Sequence, residues 1–251
     1  MGSLRLLRDS FEDDPALDTA VSRALMLRVA AGELPETLRI ARPGAFVAFA
    51  KRDAVTAGYE EAVAAARGAG FEAVLRLAGG RAAIFHEGTI ELGHARPDAD
   101  PRAGIHERFA STAGRIVAAL RTLGLDARVG EVPGEYCPGR YSVNARGEAK
   151  LAGVGQRVVA GGSHTGVVLV VSGEDRIKRV LVPVYEALEL PWRPEATGSV
   201  AAEAAEIGWD EVTDALVEEY ARHYDVVEAG VDEETLALAR RLAPEHRPPR
   251  G

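Results

Sequence analysis

Cysteine is nearly absent: the 251 residues contain one, Cys137. An internal disulfide is therefore impossible, which fits a reducing compartment, and a cytoplasmic location is expected. Aromatic residues make up 6%, with two tryptophans, and methionine also occurs twice. No apolar run approaches the ~20 residues that cross a bilayer. The opening stretch to Asp9 turns charged too soon for a secretory leader, and Leu6 stands where a myristoylation signal wants Ser or Thr. No membrane partner is expected.

Positive charge is also in short supply. Thirty Lys and Arg face 38 Asp and Glu, a net charge of −8, which argues against nucleic acid as a partner. The deficit is uneven. Residues 137–181 hold seven basic and three acidic side chains, whereas residues 195–251 hold five and fourteen. A basic middle on an acidic protein suits an acidic partner, or else the solvated faces of unrelated elements. Several signatures are missing. There is no phosphate-binding P-loop, and Gly153-Val154-Gly155 lacks the third glycine of a dinucleotide fingerprint because Val158 occupies its place. His106-Glu107 lacks the second histidine of a zinc helix. Gly161 to Thr165 fails the nucleophile-elbow pattern, and the six histidines show no metal-ligand spacing, so no metal is expected.

What is present is an irregular alternation of helices and short strands. Asp14-Pro15 opens an amphipathic helix ended by Gly32. Strands are predicted at 37–40, 46–49, 72–76, 127–129 and 165–171, with helices at 59–67, 107–123 and 175–188, the last interrupted at Pro183. Ala82–His86 and Thr89–His94 read as a hairpin turned at Glu87-Gly88. Two acidic helices follow a linker-like stretch at 191–199, over 209–223 and 232–242. The pattern predicts an α+β chain with a mixed, partly antiparallel sheet covered by helices, rather than a doubly wound nucleotide fold.

The lone cysteine lies 13 positions before Lys150, and Asn144 to Gly147 reads as a turn between two extended runs. That hairpin brings the Cys137 loop back towards the Lys150 strand. A cation beside a thiol favours the thiolate, which is the nucleophile. The alternative is a small buried apolar residue.

Two stretches carry a resemblance. Arg76-Leu77-Ala78-Gly79-Gly80-Arg81, running on to Phe85-His86, is similar to the acyl-site loop and strand of the lipoate–protein ligase, octanoyltransferase and biotin–protein ligase catalytic-domain superfamily. Lys150-Leu151-Ala152-Gly153, running on to Gln156, resembles the same superfamily's catalytic-lysine strand. Order and separation fit, and the likeness spans roughly residues 5–243. The segment Glu135 to Tyr141 resembles the loop in which cysteine-dependent octanoyltransferases and lipoyl amidotransferases carry their acyl group. Two departures stand out: Ala78 replaces a Ser or Thr, and Gly155 stands where the family has alanine.

The resemblance implies a ligase-like fold, a mostly antiparallel mixed sheet flanked by helices. It implies a catalytic domain over 1–195, a helical extension over 196–243 packed on it, and a flexible tail at 244–251. Cys137 and Lys150 would be catalytic. Arg76, Gly79, Gly80, Arg81, His86, Gly153 and Gln156 would bind substrate, with Val74, Ile84, Leu151 and Val154 as candidates for an apolar slot. The implied reaction moves an octanoyl or lipoyl group from a carrier-protein thioester, through Cys137, to the lysine of a lipoyl domain. The implied partners are an acyl-carrier protein and a glycine-cleavage H protein or 2-oxoacid dehydrogenase E2. No cofactor is then required. Two alternatives remain: an ATP-dependent lipoate–protein ligase using ATP and Mg²⁺ with Lys150, and a non-catalytic binder of such domains.

Overall fold

Asp14 caps the first helix as predicted, its carboxylate accepting the N–H of Leu17 at 3.1 Å, with Pro15 in the first turn. In the computed structural model, which describes residues 2–248, the chain runs β1 (Gly2–Leu7), α1 (Pro15–Ala30), β2 (Thr37–Ala41), β3 (Phe46–Phe49), α2 (Tyr59–Gly68) and β4 (Glu72–Leu75). It continues through β5 (Ala83–Phe85), β6 (Thr89–Pro97), α3 (Ile105–Thr122), β7 (Ala127–Val129), β8 (Val143–Ala145), β9 (Ala149–Val159) and β10 (Gly162–Val170). The last elements are α4 (Glu174–Ala187), α5 (Val200–Glu203), α6 (Trp209–Ala221), β11 (Tyr224–Ala229) and α7 (Glu233–Leu242).

Eight strands form one mixed sheet in the order β11-β1-β2-β6-β10-β9-β8-β7, parallel only where β1 meets β11 and β2. A second sheet, β4-β3-β5, has three strands. The mixed α+β architecture is the expected one. One face of the large sheet packs against α3 and α6, burying Leu38, Ile40, Leu92, Ile116, Leu120 and Leu216 in one cluster. The small sheet packs with α2 and α4 in a second cluster containing Phe49, Ile84 and Leu181.

Several expectations need correction. β5 does not form a hairpin with β6; it pairs with β3, Ala83 opposite Ala48, while β6 joins β2 and β10 in the other sheet. The turn at His86–Thr89 closes locally, Thr89 N–H donating to His86 O at 2.8 Å, but hands the chain from one sheet to the other. Helix α4 runs through Pro183 without a break. The carbonyl that Pro183 leaves unpaired belongs to Arg179, which is exposed, so water can satisfy it. The C-terminal piece is not purely helical: β11 extends the main sheet by pairing in parallel with β1. Within the expected tail, His246 and Pro248 are buried, His246 with its Nδ1 2.7 Å from Leu75 O, while Pro244, Glu245 and Arg247 are exposed and 249–251 lie outside the described residues.

Candidate active site

The hairpin of β8 and β9 forms as read, Asn144 pairing with Lys150 and Ala145 with Ala149. It brings Lys150 under the loop 132–142. Lys150 is fully buried, and each of its three N–H donors has an acceptor: Glu135 Oε1 at 3.0 Å, Tyr136 O at 2.9 Å and Cys137 O at 2.9 Å. The ammonium also lies 4.8 Å from the centre of the Tyr136 ring. Lys150 thus grips the backbone beside Cys137 rather than its sulfur. Three oxygens satisfy the ammonium, whose charge still lowers the thiol pKa.

Glu135 organises the same loop. Besides Lys150, its carboxylate accepts from Val132 N–H and Gly139 N–H, both at 3.0 Å, and from Ser142 Oγ at 2.5 Å. Four donors on one buried carboxylate fix the loop tightly. Cys137 takes a left-handed backbone, φ 43°, which costs energy for a non-glycine residue and is held by its surroundings. Its N–H donates to the Tyr185 hydroxyl at 2.8 Å, and that hydroxyl donates to Ala82 O at 2.8 Å.

The sulfur faces the other motif. The Arg81 N–H donates to Cys137 Sγ at 3.2 Å, and Arg76 Nη1 lies 3.7 Å from it while also donating to Arg81 O at 3.0 Å. Burial by itself pushes the thiol pKa up; the Arg76 guanidinium, the Lys150 ammonium and the Arg81 N–H outweigh it, so the pKa falls below the ordinary thiol value. Gly80 has φ 118°, and a Cβ there would sit 2.9 Å from Sγ. Only glycine lets the backbone come this close in that conformation.

Cys137, Lys150, Arg76 and Gly80 line a cavity of about 360 Å³, walled by Ile105, Phe109, Tyr141, Val154, Val158 and Val168. Phe109 and Tyr141 stack with ring centres 5.3 Å apart. This volume falls at the low end of small-ligand pockets, ~300–1,000 Å³. A smaller space of about 60 Å³, bounded by Phe46, Phe85, Glu91 and His164, lies behind Arg76 and Val168, which border both.

Of the residues expected in the site, Cys137, Lys150, Arg76, Gly79, Gly80, Gly153 and Gln156 line the cavity. Arg81 contributes its backbone; its side chain turns away to Asp53, at 3.1 Å. His86 is not there. It is buried at the sheet-crossing turn, accepting the Gly88 N–H at 3.0 Å, because β5 carries it away from the Gly79-Gly80 loop. Among the apolar candidates, Val154 reaches the cavity, while Val74, Ile84 and Leu151 belong to the core. Gln156 is a tie as much as a wall: its side chain accepts from Arg108 Nε at 2.8 Å and donates to Ile105 O at 3.1 Å, clamping the start of α3 to β9.

Sequence reasoning missed Glu135, Tyr185 and Arg108. Glu135 stood two residues before Cys137, but nothing in its spacing marked it as buried. Tyr185 comes from a distant helix. The two family departures face each other: a Cβ at Gly155 would meet Ala78 Cβ and Arg76 Nη2, both at 2.9 Å.

A glycine-floored, largely apolar cavity on a mixed sheet thus holds a thiol with lowered pKa beside a buried lysine. The sequence matches the lipoyl protein ligase A/B catalytic domain over residues 14–221, and the chain belongs to that family. It is 28% identical over 181 residues to an Octanoyl-[GcvH]:protein N-octanoyltransferase of Geobacillus kaustophilus, covering 72% of this chain and 61% of that protein. It is 25% identical over 182 residues to a Lipoyl-[GcvH]:protein N-lipoyltransferase of Listeria monocytogenes, covering 69% and 64%. The chain therefore spans somewhat over three fifths of the length of these relatives. A lipoate-protein ligase A bound with ATP has the same fold, with TM-score 0.80 and 24% identity over 98% of this chain and 95% of that one. No described helix is long and apolar enough to cross a membrane.

Proposed function

We propose that this protein is an acyltransferase that carries an octanoyl or lipoyl group on Cys137 between a carrier thioester and the lysine of a lipoyl domain. The observation that carries this reading is the sulfur environment: Cys137 Sγ sits at the cavity with the Arg81 N–H at 3.2 Å, Arg76 at 3.7 Å and a pKa held below the usual thiol value. The relatives named for octanoyl and lipoyl transfer from GcvH support the choice of acyl group and of an H-protein-type partner.

In the first half-reaction the Cys137 thiolate attacks the donor carbonyl carbon. A carbon–sulfur bond to Cys137 forms, the bond to the carrier sulfur breaks, and the carrier leaves as a thiol after taking up a proton. One thioester replaces another, so the step is nearly isoenergetic and needs no ATP. In the second half-reaction the lysine amine attacks the Cys137 thioester. An amide forms, the thiolate returns and the amine loses a proton.

Arg76 is the donor best placed for the developing oxyanion, because Nη1 is engaged near the sulfur while Nη2 has no hydrogen-bond partner among the described residues. Lys150 and Glu135 hold the nucleophile loop in place, and the Lys150 ammonium helps to lower the thiol pKa. Burying the seven aliphatic carbons of an octanoyl chain at ~0.8 kcal/mol each contributes about 5–6 kcal/mol to binding.

Incubation with an octanoyl thioester should add one octanoyl mass to the intact protein, and Cys137→Ala should abolish it. No adduct with any thioester donor would sink the proposal. An ATP-dependent ligase would instead load free lipoate with ATP and keep that activity in Cys137→Ala. Holding an adenylate on Lys150 requires its Nζ to leave at least one of the three oxygens it now binds.

A further inference from the structure

The loop between β4 and β5 lies outside either strand, and side chains hold its carbonyls. Three successive ones are taken: Arg52 Nε donates to Gly80 O, Arg76 Nη1 to Arg81 O at 3.0 Å, and the Tyr185 hydroxyl to Ala82 O at 2.8 Å. Arg76 and Tyr185 also contact Cys137 directly. Arg52 is different: it is exposed and comes from the turn that follows β3, as does the next residue, Asp53. Asp53 is fully buried, its carboxylate accepting from Ala50 N–H at 2.9 Å and from Arg81 Nη1 at 3.1 Å. Neither Arg52 nor Asp53 lines the Cys137 cavity.

Both nevertheless bear on the sulfur. Gly80 O and the Arg81 N–H are the two ends of one planar peptide unit and point in opposite directions. The N–H end donates to Cys137 Sγ at 3.2 Å, and the C=O end is the one Arg52 grips. With glycine at 79 and at 80, where φ is 118°, no Cβ restricts this peptide, so its direction has to be fixed from outside. A cation on the carbonyl fixes the plane and, by polarising the unit, strengthens the N–H as a donor. Asp53 anchors the other end of the unit through the Arg81 side chain.

We infer that Arg52 and Asp53 form a clamp that aims the Gly80–Arg81 peptide N–H at Cys137, and are positioning residues for the nucleophile from outside its cavity. This role rests on the reading of Cys137 as nucleophile above.

The test uses the full chain and two readouts: the pH profile of Cys137 alkylation by iodoacetamide, and acylation by the small thioester octanoyl-N-acetylcysteamine. Arg52→Ala removes an exposed side chain, so its unfolding midpoint should stay close to wild type. Its alkylation profile should move to higher pH, with the rate at neutral pH about threefold lower, because less thiolate is present. Acylation should slow by at least as much. Asp53→Asn separates the clamp from simple charge. Loss of a nearby carboxylate by itself favours the thiolate and would move the profile to lower pH. An asparagine oxygen can serve only one of the two donors that Asp53 now holds, so a failing clamp moves the profile to higher pH instead. An unmoved profile in Arg52→Ala overturns the clamp, as does a downward or absent shift in folded Asp53→Asn. If both profiles move upward but wild-type Cys137 takes up no octanoyl group, the transferase reading fails and the clamp stands.

Discussion

Two buried ion pairs look alike and do different work. Arg39 and Asp18, 1% and 2% exposed, tie β2 to α1, with Glu91 3.6 Å from the same guanidinium and Arg39 Nε donating to Asp9 O at 2.9 Å. Lys150 and Glu135 are both fully buried and tie β9 to the Cys137 loop. Each satisfies nearly all of its donors, so each avoids the cost of a stranded charge. The partners differ. Arg39 holds regular elements that would meet anyway through their apolar faces. Lys150 and Glu135 hold an irregular loop with a left-handed cysteine, whose shape no ladder enforces. One pair anchors the scaffold; the other sets where a nucleophile stands.

The largest expected effects come from breaking either pair. Arg39→Ala and Glu135→Ala should each destabilise the fold by about 3–5 kcal/mol, measured by denaturant unfolding, because each leaves a buried charge alone. Replacing both partners with apolar residues of similar volume sharpens the contrast. Arg39→Met with Asp18→Leu should recover most stability and retain Cys137 acylation. Lys150→Met with Glu135→Leu removes the paired charges but strands the Val132 and Gly139 N–H groups and the Ser142 hydroxyl, so it should recover only part of the stability and acylate at least tenfold more slowly. Equal acylation by both doubles would end the distinction.

Arg76→Ala comes next, with a loss on the order of 10²-fold in acylation rate, as for removal of an oxyanion donor. The thiol pKa is depressed first by Arg76, so this variant should also shift the pH profile of Cys137 alkylation upward. At a given pH below the new pKa, less thiolate is present. An unshifted profile would remove Arg76 from the thiolate's support.

A smaller effect comes from acid. Burial lowers His94 from 6.5 to about 4 and His164 from 6.5 to about 3, so both are neutral in the fold at neutral pH. The unfolded chain takes up these protons first, as pH drops below 6.5. Stability should therefore decline from there downward, by on the order of 1 kcal/mol per histidine at pH 5.5. A denaturation midpoint unchanged between pH 7.5 and 5.5 would refute it. Smallest of all, Tyr185→Phe removes the hydroxyl bridging Cys137 N–H and Ala82 O, and should cost about 0.5–1.5 kcal/mol with a matching loosening of the loop.

Much of the site was legible because its residues are local. The hairpin turn at Asn144–Gly147, the lysine after it and the glycine pair at 79–80 are all short-range signals, and the strands they predict form. The capped start of α1 is equally local. His86 was misplaced for a different reason: its neighbours in sequence belong to the site, but β5 pairs with β3 and not with β6. β1 and β11 carried no hairpin or turn signal, because they pair with each other across more than 200 residues.

Residue type and spacing alone determined the mixed α+β plan and the Cys137 loop beside the Lys150 strand. Those are consequences of turn chemistry and side-chain period, which act over a few residues. Only the tertiary structure decided what Lys150 holds and which cation faces the thiol. Distances between elements far apart in sequence settle such matters, and each buried charge takes whichever oxygen or sulfur the packing places nearest.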